Sequence, residues 1–145
     1  MRSRMATFLL KTEPGTYSYA DLAKAKKCAW DGVSNPQALA FLRTMRKGDE
    51  VLIYHTGDEK AIVGLARVTN EPYEDPKQPG QTADKKPKFA VVDLAAVRPA
   101  PKPVTLATIR ADARFESFLL VTHARLSVMP VPPDLDRTLR KLCGL

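Results

Sequence analysis

The chain has 145 residues, of which 44% are hydrophobic and 27% charged. That is long enough for one domain with its own core, too short for two full ones, and too apolar for a disordered chain. Lys and Arg number 23 against 16 Asp and Glu, a net charge of +7, which attracts polyanions from a distance and makes nucleic acid the first partner class to consider.

No apolar run approaches the roughly 20 residues of a membrane helix. The opening MRSRMATFLLK superficially resembles a leader. Its apolar part, Met5 to Leu10, is too short and lacks a small-residue cleavage site before Lys11. Residues 1–4 read as a disordered start, residues 5–145 as one domain, and the protein as a cytoplasmic monomer without a membrane partner. Cys28 and Cys143 lie far apart in sequence and are expected as free thiols.

In chain order, TFLLK (7–11) reads as a short buried strand, broken by EPGT. SYADLAKAKK starts a helix, with Ser18 as cap and Asp21 three residues on in capping-box spacing. Lys24, Lys26 and Lys27 fall at its negative end. The segment 28–49 carries the single tryptophan, Trp30, at the mouth of the loop DGVSN. Trp30 has two readings: core-rim packing, or a flat platform for a flat ligand. Asn35 and Pro36 open the next helix. Its apolar face is Ala38, Phe41, Leu42 and Met45, with Gly48 as its stop. The positive end of that helix faces the DGVSN loop, which suits an acceptor-rich ligand or a phosphate.

From residue 50 the period changes. EVLIYHT and AIVGLARVTN read as two strands joined as a hairpin by TGDEK. Both are too apolar for one-sided burial, so the sheet is expected to be covered or curled into a barrel. Gly64 marks a bulge or a close approach to the backbone. Residues 71–88 form a long loop with four prolines, functional or mobile. FAVVDLAAV is a strand ended by RPAPKPV, and Thr105 caps a short helix LATIRAD. FESFLLVT stays undecided between helix and strand. RLSVMPV is a strand, and PDLDRTLRKLCGL is a closing helix with Leu135, Leu139 and Leu142 on one face. The sum is an α+β domain of about five or six strands curled toward a mixed barrel, with flanking helices.

The segments FLLKTEP (8–14), YSYADL (17–22), WDGVSNPQA (30–38), LRTMRKGDEVLIYHT (42–56), IVGLARVTNEPYEDP (62–76), KPKFAVVDL (86–94) and ARLSVMPV (124–131) together resemble the EVE domain family, in the family's order and over nearly the whole chain. The resemblance implies a PUA-like barrel. It also implies a non-catalytic module that holds a modified nucleobase, a modified cytosine foremost, flipped out of a DNA or RNA strand.

By that resemblance Trp30 sits at the pocket edge, where base stacking competes with packing as its role. Asp31, Gly32 and Asn35 form the adjoining loop. Asp31 is a candidate acceptor for an exocyclic amine or a turn residue, and Asn35 is a helix cap or a ligand contact. Tyr54 and His55 lie on a strand matching the family's Phe-Tyr-His, and at most one of them faces the pocket, since neighbours on a strand point to opposite sides. Lys11, Glu13 and Ser18 come from a region that lines the family's cavity, with a Lys11–Glu13 ion pair as the alternative. Arg125 and Ser127 match the family's Arg-Leu-Ser. Ser34 stands where the family commonly has Arg, and Leu39 and Ala40 where it tends to have Arg and Asn. Those departures remove cations from the mouth and leave phosphate attraction to Lys26, Lys27, Arg43, Arg46, Lys47 and Arg125.

No nucleophile elbow, P-loop or dinucleotide-binding glycine pattern occurs in the sequence. Two histidines and two scattered cysteines make no zinc set, so no metal or cofactor is expected. Two other functions are kept: a nucleic-acid modification or repair enzyme using Asp31 or His55 as base, and a pocket for a free nucleoside-like metabolite.

Overall fold

A computed structural model describes residues 5–145, and the expected start over residues 1–4 lies outside them. The apolar run near the N-terminus forms β1 (Thr7–Thr12), which pairs in parallel with β3 (Glu50–His55). Parallel neighbours need a long crossover. Here it consists of α1 (Tyr19–Ala25), β2 (Lys27–Trp30) and α2 (Pro36–Thr44). β3 returns as a hairpin into β4 (Ala61–Val68), and β4 pairs with the long β6 (Ala90–Thr105). β5 (Tyr73–Glu74) adds two residues to β6 from within the long loop. α3 (Leu106–Arg110), a 3-10 turn over Ala113–Phe115 and α4 (Leu119–Thr122) lead to β7 (Val128–Val131), antiparallel to β1. α5 (Pro133–Cys143) closes the chain.

The strand path runs β2-β6-β4-β3-β1-β7. It has two ends, so among the described residues seven strands and five helices make an α+β fold whose mixed sheet does not close into a ring. Both terminal strands have four residues, and each pairs on one side only within this path.

Local signals explain most boundaries. Ser18 and Asp21 form the reciprocal capping box, with bonds of 3.1 and 2.8 Å. α1 ends at Ala25, earlier than its lysines suggest. Lys26 takes φ 69° and turns the chain, and Lys27 already belongs to β2, because pairing with Ala95 on β6 outweighs helix propensity there. Asn35 caps α2 by accepting from the backbone of Gln37 and Ala38. Asp49, fully buried, accepts from the backbone N–H groups of Ala6 and Arg46 and so ties the exit of α2 to the start of β1. On α5 the buried face is Leu135, Leu139 and Cys143, while Leu142 is exposed, a spacing of four rather than four then three.

β6 continues through Pro99, Pro101 and Pro103, where the sequence predicts its end. β2 covers β6 only up to Ala95. On the β4 side the pairing skips from Gly64–Pro99 to Ile62–Val104, so Pro101 and Pro103 fall where β6 bulges and has no β4 partner.

The long loop is pinned rather than loose at its far end. Arg43 on α2 donates from Nε to the Pro87 carbonyl (2.7 Å) and from Nη2 to the Lys88 carbonyl (3.0 Å). Gly64 performs the expected close approach. β3 and β4 shift register beside Val63, and the ring of Tyr19 lies on the glycine, so that a Cβ there would sit 2.4 Å from the ring. The Tyr19 hydroxyl then donates to the Leu65 carbonyl at 2.7 Å.

Two outcomes follow from these contacts. Gly64→Ala should destabilise by about 1–3 kcal/mol through overpacking, seen as a lower urea midpoint at unchanged slope. Adding Tyr19→Ala should cost less than the sum of the two single changes. Strict additivity would mean the ring does not press on the glycine. Arg43→Met should release the loop at a cost of about 1 kcal/mol, so that trypsin cuts at Lys77 or Lys85 several times faster in native buffer.

Candidate functional site

The two ends of the sheet face each other across a cleft of about 590 Å³. On one side stand Lys11, Thr12 and Glu13 from the end of β1, with Ser127 just before β7. On the other stand Cys28, Ala29 and Trp30 of β2, and the loop from Asp31 to Asn35 that enters α2. Thr16 and Tyr17, leading into α1, complete the lining. The cleft thus occupies the place where closure of the barrel would have put strand pairing.

Trp30 is half-buried, neither core nor fully exposed. The ring of Tyr17 meets it edge-on, with centroids 6.0 Å apart and planes at 76°. That arrangement leaves an indole surface at the mouth while fixing its orientation. The Tyr17 phenol is pushed up to about 12, chiefly by desolvation, then by its interaction with Cys28 and by the nearby Asp21 carboxylate. It stays neutral throughout the physiological range.

The polar groups of the cleft differ in how far the chain itself uses them. Lys11 Nζ donates to the Ala124 carbonyl at 2.9 Å, and burial lowers its pKa. Glu13 accepts from the Gly15 backbone at 3.3 Å and from the Thr56 hydroxyl at 3.1 Å. It ties the strand end to the β3–β4 hairpin and forms no ion pair with Lys11. Asp31 is exposed and makes no hydrogen bond within the described residues. Gly32, at φ 80°, turns the loop. Asn35 uses its side-chain oxygen twice as the helix cap. Both the cap role and a place in the cleft therefore hold for Asn35.

Of the candidate residues, Lys11, Glu13, Trp30, Asp31, Gly32, Asn35 and Ser127 line the cleft, and Ser18, Tyr54 and His55 do not. Tyr54 is buried under the cation of Lys11, 5.9 Å from its centroid. His55 is buried: Nε2 accepts from the Tyr19 backbone N–H at 2.9 Å while Nδ1 lies 2.8 Å from Glu59 Oε1. That pattern requires the proton on Nδ1 and leaves neither ring nitrogen for a ligand. Ser18 uses its hydroxyl and N–H in the capping box.

The expected phosphate contacts also divide. Lys26, Lys47 and Arg125 are exposed. Lys27 stands 3.8 Å from Asp93. Arg43 holds the long loop as described, and Arg46 donates to the carbonyls of Arg43 and Met45 at its helix end. Sequence reasoning missed Tyr17, Thr16 and Cys28. The tyrosine stands within the matched stretch YSYADL, but nothing in that stretch distinguishes a cleft wall from an ordinary residue before a helix cap.

Comparison with known proteins places this geometry. The sequence model of the EVE domain matches residues 6–142. Thymocyte nuclear protein 1 of Homo sapiens is 28% identical over 162 residues, covering 92% of this chain and 72% of that protein. The Mus musculus protein is 32% identical over 155 residues, covering 88% and 69%. Among solved structures, Rpa0253 from Rhodopseudomonas palustris superposes with a TM-score of 0.85 at 36% identity over 97% of this chain and 94% of that one. The human THYN1 protein, solved in complex with 5-methylcytosine containing DNA, gives 0.84 at 29% identity over 97% and 98%. A more distant ASCH protein from Zymomonas mobilis, at 12% identity and 0.57, shares the fold alone. With a match that runs almost from end to end, the chain belongs to the EVE domain family.

Proposed function

We propose that the protein is a non-catalytic nucleic-acid-binding module whose cleft takes a modified base, a modified cytosine foremost, turned out of its strand. The observation that carries this reading is the cleft wall: a half-buried indole steadied by an edge-on phenol. The opening of about 590 Å³ lies within the usual range of small-ligand sites. A base laid on such an indole gains on the order of 1–3 kcal/mol. The relative that binds 5-methylcytosine containing DNA supports cytosine as the base and DNA as the polymer. Exposed Lys26, Lys47 and Arg125 supply the attraction to phosphates, with the salt dependence such contacts bring.

An enzymatic reading draws less support. One of its two candidate bases, His55, is held by Tyr19 and Glu59 away from the cleft. Asp31 would have to act without an imidazole beside it.

The test is a titration of the protein against oligonucleotides with cytosine or 5-methylcytosine at one position, in DNA and in RNA, at two salt concentrations. Tighter binding of the methylated DNA, with the oligonucleotide mass unchanged after incubation, is the expected result. A mass change would make the protein an enzyme. Binding of the free nucleoside but of no oligonucleotide would make it a metabolite pocket. Trp30→Ala should weaken binding of the methylated DNA about tenfold or more while the melting temperature falls by only a few degrees. If stability falls as much as affinity, the indole packs rather than stacks.

A further inference from the structure

The cleft holds two side chains whose hydrogen-bonding character the fold settles. An amide such as Asn35 ordinarily offers both an acceptor and two donors, and it can turn over to suit its partner. Here it cannot turn over. Its oxygen accepts from the backbone N–H of Gln37 at 2.9 Å and of Ala38 at 3.0 Å, and reversing the amide would set N–H groups against N–H groups at the helix start. What Asn35 can present to a ligand is therefore its two N–H donors, which make no hydrogen bond within the described residues. Asp31 stands on the same loop and lines the same cleft. Its carboxylate accepts only, and it makes no hydrogen bond within the described residues. The other cleft carboxylate, Glu13, is already engaged by Gly15 and Thr56. The hydroxyls of Ser34, Ser127 and Thr16 can donate or accept and so discriminate little.

The loop thus sets one acceptor-only group and one donor-only group in the cleft that Trp30 also lines. We propose that Asp31 and Asn35 read the hydrogen-bonding edge of the base: Asp31 accepts from an exocyclic amine, and the Asn35 amide donates to the ring nitrogen or carbonyl next to it. This rests on the reading of the cleft as a base pocket. Cytosine and its 5-substituted forms present such an edge, with N4 amine, N3 acceptor and O2 acceptor. Thymine presents O4, an acceptor, where Asp31 needs a donor, and N3–H where Asn35 needs an acceptor. Thymine also carries the same 5-methyl group as 5-methylcytosine. A preference between the two bases thus reports on the edge alone and not on the methyl group.

The experiment measures binding of otherwise identical DNA oligonucleotides with 5-methylcytosine or thymine at one position. Asn35→Ser is the informative variant, because serine caps a helix about as well as asparagine but its hydroxyl, engaged by the cap, no longer supplies the amide donors. The wild type should prefer 5-methylcytosine by about tenfold or more, the discrimination expected of a well-formed pair of base-edge contacts. Asn35→Ser should lose most of that preference at an unchanged melting temperature. Asp31→Asn, whose amide is not pinned and can turn either face to the base, should bring the ratio close to one. Wild-type preference retained in both variants would overturn the proposal while leaving the base pocket intact. A wild type that binds neither oligonucleotide overturns the pocket reading, and this inference falls with it.

Discussion

The geometry of the site depends on one close contact, the ring of Tyr19 laid on the backbone of Gly64. No side chain larger than hydrogen fits beneath the ring, so α1 sits closer to the sheet than any other residue at position 64 would allow. The same tyrosine donates its hydroxyl to the Leu65 carbonyl and its N–H to His55. Three separate features of β3 and β4 therefore hold the first residue of the helix. Tyr17 lies two residues upstream and inherits that position. Through its edge-on contact it aligns Trp30. The orientation of the indole is thus set from the core outward, by packing rather than by the loop at the mouth.

The second organising feature is the gap in the sheet. A closed barrel would fill its interior with side chains and pair all its edges. Here β2 and the β1–β7 end stand apart, and the space between them is lined by backbone turns, short polar side chains and two aromatic rings. Two charged groups near it are engaged by the chain itself, Lys11 by a carbonyl and Glu13 by a backbone N–H and a hydroxyl. These bonds hold the gap open without placing an unpartnered buried charge in it, which would be costly.

Much of the fold was legible because its signals are local. Ser18 and Asp21, Asn35 and Pro36, Thr105 and Gly144 each mark a helix end by chemistry that needs no partner elsewhere. Gly64 announced a close approach, though not what approaches. The parts that were not legible depend on distant partners. KCAW is too short to show a period, and it is a strand only because β6 lies beside it. His55 lies on a strand where either of two neighbours can face the pocket, and the sequence does not say which. Its role was decided by Tyr19 and Glu59, one of them 36 residues away in sequence. Arg43 belongs to a basic helix end by sequence, yet its donors serve two loop carbonyls. Periodicity reports which face is apolar, but it does not report which polar group is already engaged.

The prolines of β6 bear on how the protein behaves in a crowded solution. A strand that runs past the reach of its neighbour leaves a row of backbone donors and acceptors on which another chain can add. Pro99, Pro101 and Pro103 take three donors out of this stretch, and β6 bulges between Pro99 and Val104, where it has no partner on β4. Pro101 is in addition packed against Gly144 at the end of α5. An incoming strand would meet three missing N–H groups and a bulged backbone there, so the longest strand of the sheet is a poor template for aggregation.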